Sequence, residues 1–441
     1  LLMVISIFIF KNHDDFSYYH FPYILMLTEG PHPIGIGKVN IGFNTHSSIF
    51  LLSSMFYLPA SNYNLFHLPA VYFMLFGNLF IITKILNEKF KQKFILYFQI
   101  SSLVFINIFF YRIAEHGTDR SAMILIIIFV SQILFILNRN FEKDDLNQLK
   151  FIFILLATII SLKAFYILYI IFLIPILKKI YKKTIILKIL KSNYFLLSLS
   201  LFIFVLLTNF FNSGCLLFPE AKTCFQNLQW GMSIEKVEEY RIHYENWAKA
   251  GAGAGYTNID KIGYIKNLNW IPNWIDKYFF NKMSDFLLSI IFIIIILFFI
   301  FKTKKTKKII NNKYLPVYVL TVFLLIIWFF NYPALRYGGY NLFFIIFFLP
   351  FSIFIQKYVN VENKFKKKIT FILIITCIIF LGRNVNRIYD ENIKYLYNPF
   401  QNTSYRLEKS SFRFQNMINN IKNNNQEKLI KVYKDRYIIK K

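Results

Sequence analysis

The chain has 441 residues, of which 56% are hydrophobic and 20% aromatic, with a mean hydropathy of +0.45. That apolar load exceeds what a soluble domain of this length carries, so the composition reads as a membrane protein. The formal net charge of +28 would suit a nucleic-acid binder, but no DNA- or RNA-binding motif accompanies it.

"LLMVISIFIF", residues 1–10, is half the length of a span and has neither a basic leader nor a small-residue cleavage site. It is expected to be the end of a truncated first helix. Further apolar windows of about the length a span needs follow at residues 67–86, 94–111, 121–137, 194–209, 284–301, 315–330, 341–355 and 369–381. Residues 151–177 are too many for one span and carry Lys163 at their middle. They predict two shorter helices meeting at a turn around "SLKA", since an unpaired lysine at the bilayer centre is costly. The expectation is an all-α polytopic membrane protein of about eleven spans. Residues 1–381 form its transmembrane domain and residues 382–441 a basic tail, in which "EKLIKVYKDRYIIKK" hints at a short strand.

Basic residues test the alternation of these spans, because short loops rich in Lys and Arg stay on the cytoplasmic side. Residues 87–93, 138–150, 178–193, 302–313 and 356–368 carry 3, 3, 6, 6 and 5 basic residues. The short intervening loops hold Lys11, Lys38, Arg112, Arg120, Lys163 and Arg336. The second set is therefore expected outside, and the net charge mostly reflects an inner surface facing anionic lipid. This orientation puts the outer loops at residues 11–48 and 210–283, with the tail, on the periplasmic face of a bacterial inner membrane.

All seven histidines fall on that outer side, as do Asp14 and Asp15 of "FKNHDDFSYYHFPY". Cys215 and Cys224 share the loop "SGCLLFPEAKTCFQNLQW", where an oxidising exterior predicts a disulfide. Nothing nearby completes a four-ligand zinc set around them. Trp270 and Trp274 are expected to form an interfacial aromatic belt. "KAGAGAGY" lacks the lysine-serine ending and preceding strand of a phosphate loop and reads as a hinge.

Short loops hold Arg112, Glu115, His116, Asp119, Arg120, Lys163 and Arg336 at the depth of a lipid phosphate. Carboxylates beside cations there suit acid/base chemistry on a phosphate-bearing lipid. A hydroxyl attacking a sugar C1 needs a base, for which Asp14 and Asp15 are the candidates. The departing lipid phosphate needs positive charge, which Lys163, Arg120 or Arg336 can supply. Two adjacent carboxylates repel, so either one has a raised pKa or a divalent cation, Mg or Mn, sits among Asp15, Asp119 and His20. Tyr18, His20, Asn44 and His46 are the candidate acceptor contacts.

"DDFSY", Asp14 to Tyr18, placed straight after the first span, resembles the D-[DE]-x-x-Y pattern in the first outer loop of GT-C glycosyltransferases, polytopic enzymes that use lipid-phosphate-linked sugars. "GTDRSAMIL" resembles their second-loop acidic position. "LLATIISLKAFYILYIIFLIPIL" is similar to their two short helices joined at a lysine turn, although their Lys-Gly-Pro is Lys163-Ala164-Phe165 here. "DDFSYYHFPY", "PIGIGKVNIGFNTHSSIFLLSSMFYLP" and "SGCLLFPEAKTC" together look like an uncharacterised bacterial family of multi-pass membrane proteins with a GT-C-like layout. The resemblance implies a polyprenyl-phosphate sugar donor and a lipid or glycan acceptor. It further implies Asp14 as catalytic aspartate, Asp15 as its acidic neighbour, Asp119 as second acidic ligand and Lys163 as phosphate-binding lysine.

Structural roles compete with each of these assignments. Asp14, Asp15 and Asp119 also suit helix N-termini, Lys163 suits snorkelling to the interface, and Arg336 in "NYPALRYGGY" suits an interfacial anchor. A transporter or flippase for lipid-linked glycans, with polar groups along a path through the membrane, and a non-catalytic envelope assembly protein are the alternative functions.

Overall fold

The computed structural model describes residues 2–8, 15, 19–29, 32, 34–38, 40–59, 65–87, 93–113, 118–138, 145–180, 183–253, 260–303, 313–358 and 362–395. Within them the chain is helical, and the pairing of Cys215 with Cys224 is an isolated β-bridge. The expected strand in "EKLIKVYKDRYIIKK" lies outside the described residues.

In chain order, a 3₁₀ segment Leu2–Phe8 precedes α1 (Phe21–Glu29) and α2 (Ser48–Ser54). Then come α3 (Leu68–Asn87), α4 (Lys93–Phe109), α5 (Asp119–Asn138) and α6 (Asp145–Leu162). Lys163, extended at φ −153°, turns the chain into a 3₁₀ segment Ala164–Leu173 that runs on as α7 (Ile174–Lys179). Helices α8 (Lys183–Leu190), α9 (Asn193–Ser213), α10 (Ile234–Lys249) and α11 (Lys261–Ile265) lead to α12 (Ile271–Trp274). A π-helical stretch, Ile275–Met283, joins α12 to α13 (Ser284–Phe301). The last helices are α14 (Leu315–Asn331), α15 (Gly339–Ile355) and α16 (Glu362–Tyr395).

Local chemistry sets several of these ends. Ser192 accepts a hydrogen bond from the Phe195 N–H at the start of α9, and Ser233 does the same for Lys236 at the start of α10, each satisfying an orphan donor of the first turn. Helix α9 stops at Gly214, whose φ of +80° returns its N–H to the Phe210 carbonyl.

Helices α4 and α5 form the interior. Helix α6 packs on α5 and α9, α14 on α15, and both α15 and α16 on α4. The span window of α5 is 89% buried, while those of α9, α12–α13 and α16 are 22–28% buried. The outer helices turn side chains such as Leu288, Phe292, Phe299 and Ile378 outward, a continuous apolar exterior that hydrocarbon tolerates and water does not. Inside, Asn78 and Asn107 exchange amide hydrogen bonds of 2.8 and 3.3 Å between α3 and α4, the kind of interhelical polar pair that membrane helices use.

The expected count of about eleven spans is corrected. Among the described residues, five helices are long and apolar enough to cross a membrane: Leu68–Asn87, Asp119–Asn138, Asn193–Ser213, Ile271–Phe301 and Asn363–Ile393. Four shorter apolar helices, Lys93–Phe109, Leu146–Leu162, Leu315–Asn331 and Gly339–Ile355, fall below that length. The other two expected spans are the 3₁₀ segment Leu2–Phe8 and the run from Ala164 to Lys179, broken between 3₁₀ and α geometry. Hydropathy reports apolar content but not where hydrogen-bonding geometry changes, so it overcounts continuous spans.

Two further differences concern the ends of segments. Helix α16 continues through Tyr395, past the apolar window that ends at residue 381, and within the extension Arg387 pairs with Glu391 at 2.9 Å one turn on. Trp270 and Trp274 are buried, with the Trp274 Nε1–H donating to the Pro333 carbonyl at 2.8 Å. They pack within the protein and form no interfacial belt.

Candidate functional site

Four charged side chains from four distant parts of the sequence meet at one end of the helices. Asp119 opens α5, Lys163 sits in the turn after α6, Arg336 lies in the 3₁₀ turn before α15, and Asp15 precedes α1. The Lys163 ammonium lies 2.7 Å from Asp119 Oδ1, and Arg336 Nε lies 3.0 Å from Asp119 Oδ2. Arg336 Nη2 reaches Asp15 Oδ2 at 3.5 Å. The carboxylate of Asp119 is thus gripped through both oxygens, and Arg336 bridges two carboxylates that would otherwise repel. Burial pulls the Arg336 pKa down, but Asp119, Tyr337 and Asp15 outweigh it and push it above its ordinary range, so the guanidinium stays charged.

The quartet borders a cavity of about 780 Å³, a volume typical of ligand pockets. Asp15, Lys163 and Arg336 line it, together with Tyr19, Asn44 and His46. Asp119 stands behind them, with 12% of its side chain exposed against 30% for Asp15. The two carboxylates therefore differ in kind. Asp119 fixes the cations, while Asp15 faces the space where a substrate would sit.

The opposite wall of the cavity comes from α10, which contributes Glu239, Arg241, His243 and Trp247, and from Glu220 in the Cys215–Cys224 hairpin. The Arg336 guanidinium lies beside the rings of Trp247 and Tyr337, 5.6 and 5.8 Å from their centres, and these two rings meet edge to face at 5.9 Å, so aromatic contact helps set its direction. Burial raises the Tyr337 phenol to about 12, with Arg336 pulling the other way, which keeps it a neutral donor. Sequence reading missed the α10 wall. The signal lay in "EYRIHYENW": Tyr240, Tyr244 and Trp247 at i, i+4 and i+7, beside Glu239 and His243 at i and i+4, share one helical face.

Other candidates take different places. His46 is buried and bonded through Nδ1 to the Tyr23 hydroxyl at 3.1 Å, which also contacts His32 at 2.9 Å and Asn212 at 3.4 Å. Burial, then His32, lowers its pKa to about 3, so it is a neutral imidazole at the cavity wall. Asn44 is fixed by the Gly37 carbonyl at 3.2 Å and Met232 Sδ at 3.4 Å. His20 packs edge-on against Tyr19 and near Phe50 and is not among the cavity-lining residues.

Arg120, expected beside Lys163 and Arg336, lies elsewhere. Its guanidinium donates to the Phe109 carbonyl at 2.8 Å and lies near the rings of Phe110 and Tyr340, between helices and off the cavity lining. Asp14, Tyr18, Glu115 and His116 lie outside the described residues. Cys215 and Cys224 are joined as a disulfide, which closes the hairpin carrying Glu220.

A divalent cation does not fit well among these groups. Such an ion takes six or more oxygen ligands, whereas Asp15 and Asp119 already face Arg336 and Lys163. Among the described residues, no group of three or more His, Cys, Asp or Glu side chains is arranged to hold a metal.

Comparison with curated proteins and with solved structures finds no match. Residues 1–344, which include every charged member of the site, match one protein family across more than half of the chain. With that match, the chain belongs to the family described as "Domain of unknown function (DUF8201)".

Proposed function

We propose that the protein is a membrane glycosyltransferase that moves a sugar from a polyprenyl-phosphate carrier to a lipid or glycan acceptor. The observation that carries this reading is the convergence of Lys163 and Arg336 on Asp119 beside a cavity that Asp15 also lines. Both cations retain N–H donors beyond those given to the carboxylates, so a lipid phosphate can take hydrogen bonds from them without dismantling the cluster.

In this mechanism the acceptor oxygen attacks the sugar C1 as the C1–O bond to phosphate breaks. The bonding pair leaves on the carrier phosphate, where Lys163 and Arg336 stabilise the developing charge. The acceptor proton passes to Asp15, with Asp14 as its neighbour in sequence. Trp247, Tyr337 and neutral His46 offer ring faces and hydrogen bonds for sugar and acceptor. Every step uses the chain's own groups, and none needs a metal ion. Lys178, Lys179 and Lys313 at the other end of α5, with the lysine-rich sequence between the spans, support an orientation with the site on the outer, periplasmic face of a bacterial inner membrane.

A transporter or flippase would need ionisable groups along a route through the bilayer. The quartet instead lies at helix ends, which favours the enzyme. The test is binding of polyprenyl phosphate to the purified protein, with the free polyprenol as control. The wild type is expected to retain the phosphate form selectively, and Lys163→Gln and Arg336→Gln to lose that selectivity. Equal retention of phosphate and alcohol by the wild type would remove the phosphate-site assignment.

A further inference from the structure

A second cavity, of about 710 Å³, lies between α7 and α14, at the end of α5 remote from Asp119. Among the described residues its lining is apolar apart from Lys178, Lys179 and Lys313, with no carboxylate. The Lys179 ammonium donates to the carbonyls of Ile136 and Leu137 at 2.6 and 3.0 Å. That contact fixes one positive charge at the C-terminal end of α5. Lys178 and Lys313 are exposed, and so are the apolar lining residues Ile174, Leu315 and Val319.

We propose that this slot binds an anionic glycerophospholipid. One acyl chain lies along Ile174, Leu315 and Val319, and the headgroup phosphate meets Lys178 and Lys313. A soluble anion would have no use for the apolar lining. A zwitterionic lipid would bring a cation of its own to three lysines. An anionic lipid satisfies both halves of the slot, as basic pockets between membrane helices do. The site is separate from the carboxylate cluster and shares no residue with it.

The experiment is native mass spectrometry of the purified full chain titrated with phosphatidylglycerol and with phosphatidylcholine of identical acyl chains, with inorganic phosphate as a competing arm. The wild type should retain phosphatidylglycerol preferentially, and Lys178→Gln with Lys313→Gln should cut that preference by roughly ten- to thirtyfold. Val319→Trp, which fills the slot and keeps the charges, should lose both lipids. Equal retention of the two lipids by the wild type would overturn the proposal. So would an undiminished preference in the double variant, or displacement of phosphatidylglycerol by inorganic phosphate.

Discussion

The two ends of α5 use positive charge in opposite ways. At Asp119, Lys163 and Arg336 are matched by carboxylates at 2.7, 3.0 and 3.5 Å and walled by aromatic rings. About 30 Å away along the helix, Lys178, Lys179 and Lys313 surround a slot whose other described lining residues are all apolar. Balanced charge held by short contacts is directional, so it can orient a reacting group. Lysines around an apolar slot attract a lipid headgroup without orienting it closely. On the proposed readings the same residue type would serve chemistry at one end and lipid contact at the other, with its neighbours deciding which.

The largest effect separating the two ends is expected from Asp15→Asn. Turnover should fall by about 10²- to 10⁴-fold, as for loss of a general base, with an unchanged melting temperature, because Asp15 is the more exposed carboxylate. Arg336→Gln should follow, lowering turnover about 10²-fold. It should also lower stability by on the order of 2 kcal/mol, because Asp119 loses one of two cations in a low-dielectric setting. Melting and turnover measured together separate this variant from Asp15→Asn.

Opening the hairpin by Cys215→Ser with Cys224→Ser should cost about 2–3 kcal/mol from loop entropy, read as a lower melting temperature. A smaller effect comes from His46. Its folded pKa of about 3 lies below the unfolded value of about 6.5, so the unfolded chain takes up the proton first. The associated stability is fully present above about pH 6.5 and falls by about 1 kcal/mol per unit as pH drops below it. His46→Gln should flatten that slope in a pH series of thermal melts. The double lysine substitution at the slot should leave turnover as in the wild type and change lipid retention alone.

Much of this was legible in the sequence, for identifiable reasons. Lys163 inside an overlong apolar run could be stable only at a break, and the break is there. Asp119 and Arg336 were marked by lying in short loops among apolar segments. Their meeting across 217 positions was not legible, because side-chain direction depends on how the helices rotate against one another. The same limit explains Arg120, one residue from Asp119, which a helical step turns toward Phe110 and Tyr340. It also explains Trp270 and Trp274, whose amphipathic rings suit an interface until packing against Phe329 and the Pro333 carbonyl buries them. The span count failed because four of the apolar helices stop short of membrane length and because composition does not distinguish a 3₁₀ stretch from a continuous α-helix.

The most direct test of the central claim is mass spectrometry of envelope glycolipids from cells expressing wild type, Asp15→Asn, Asp14→Asn, or no protein. A glycoform present only with the wild type, with its unglycosylated acceptor accumulating in the Asp15→Asn and empty cells, is the predicted result. Identical glycolipids in wild-type and Asp15→Asn cells, both differing from the empty cells, would contradict the assignment of the base to Asp15 and favour transport or assembly.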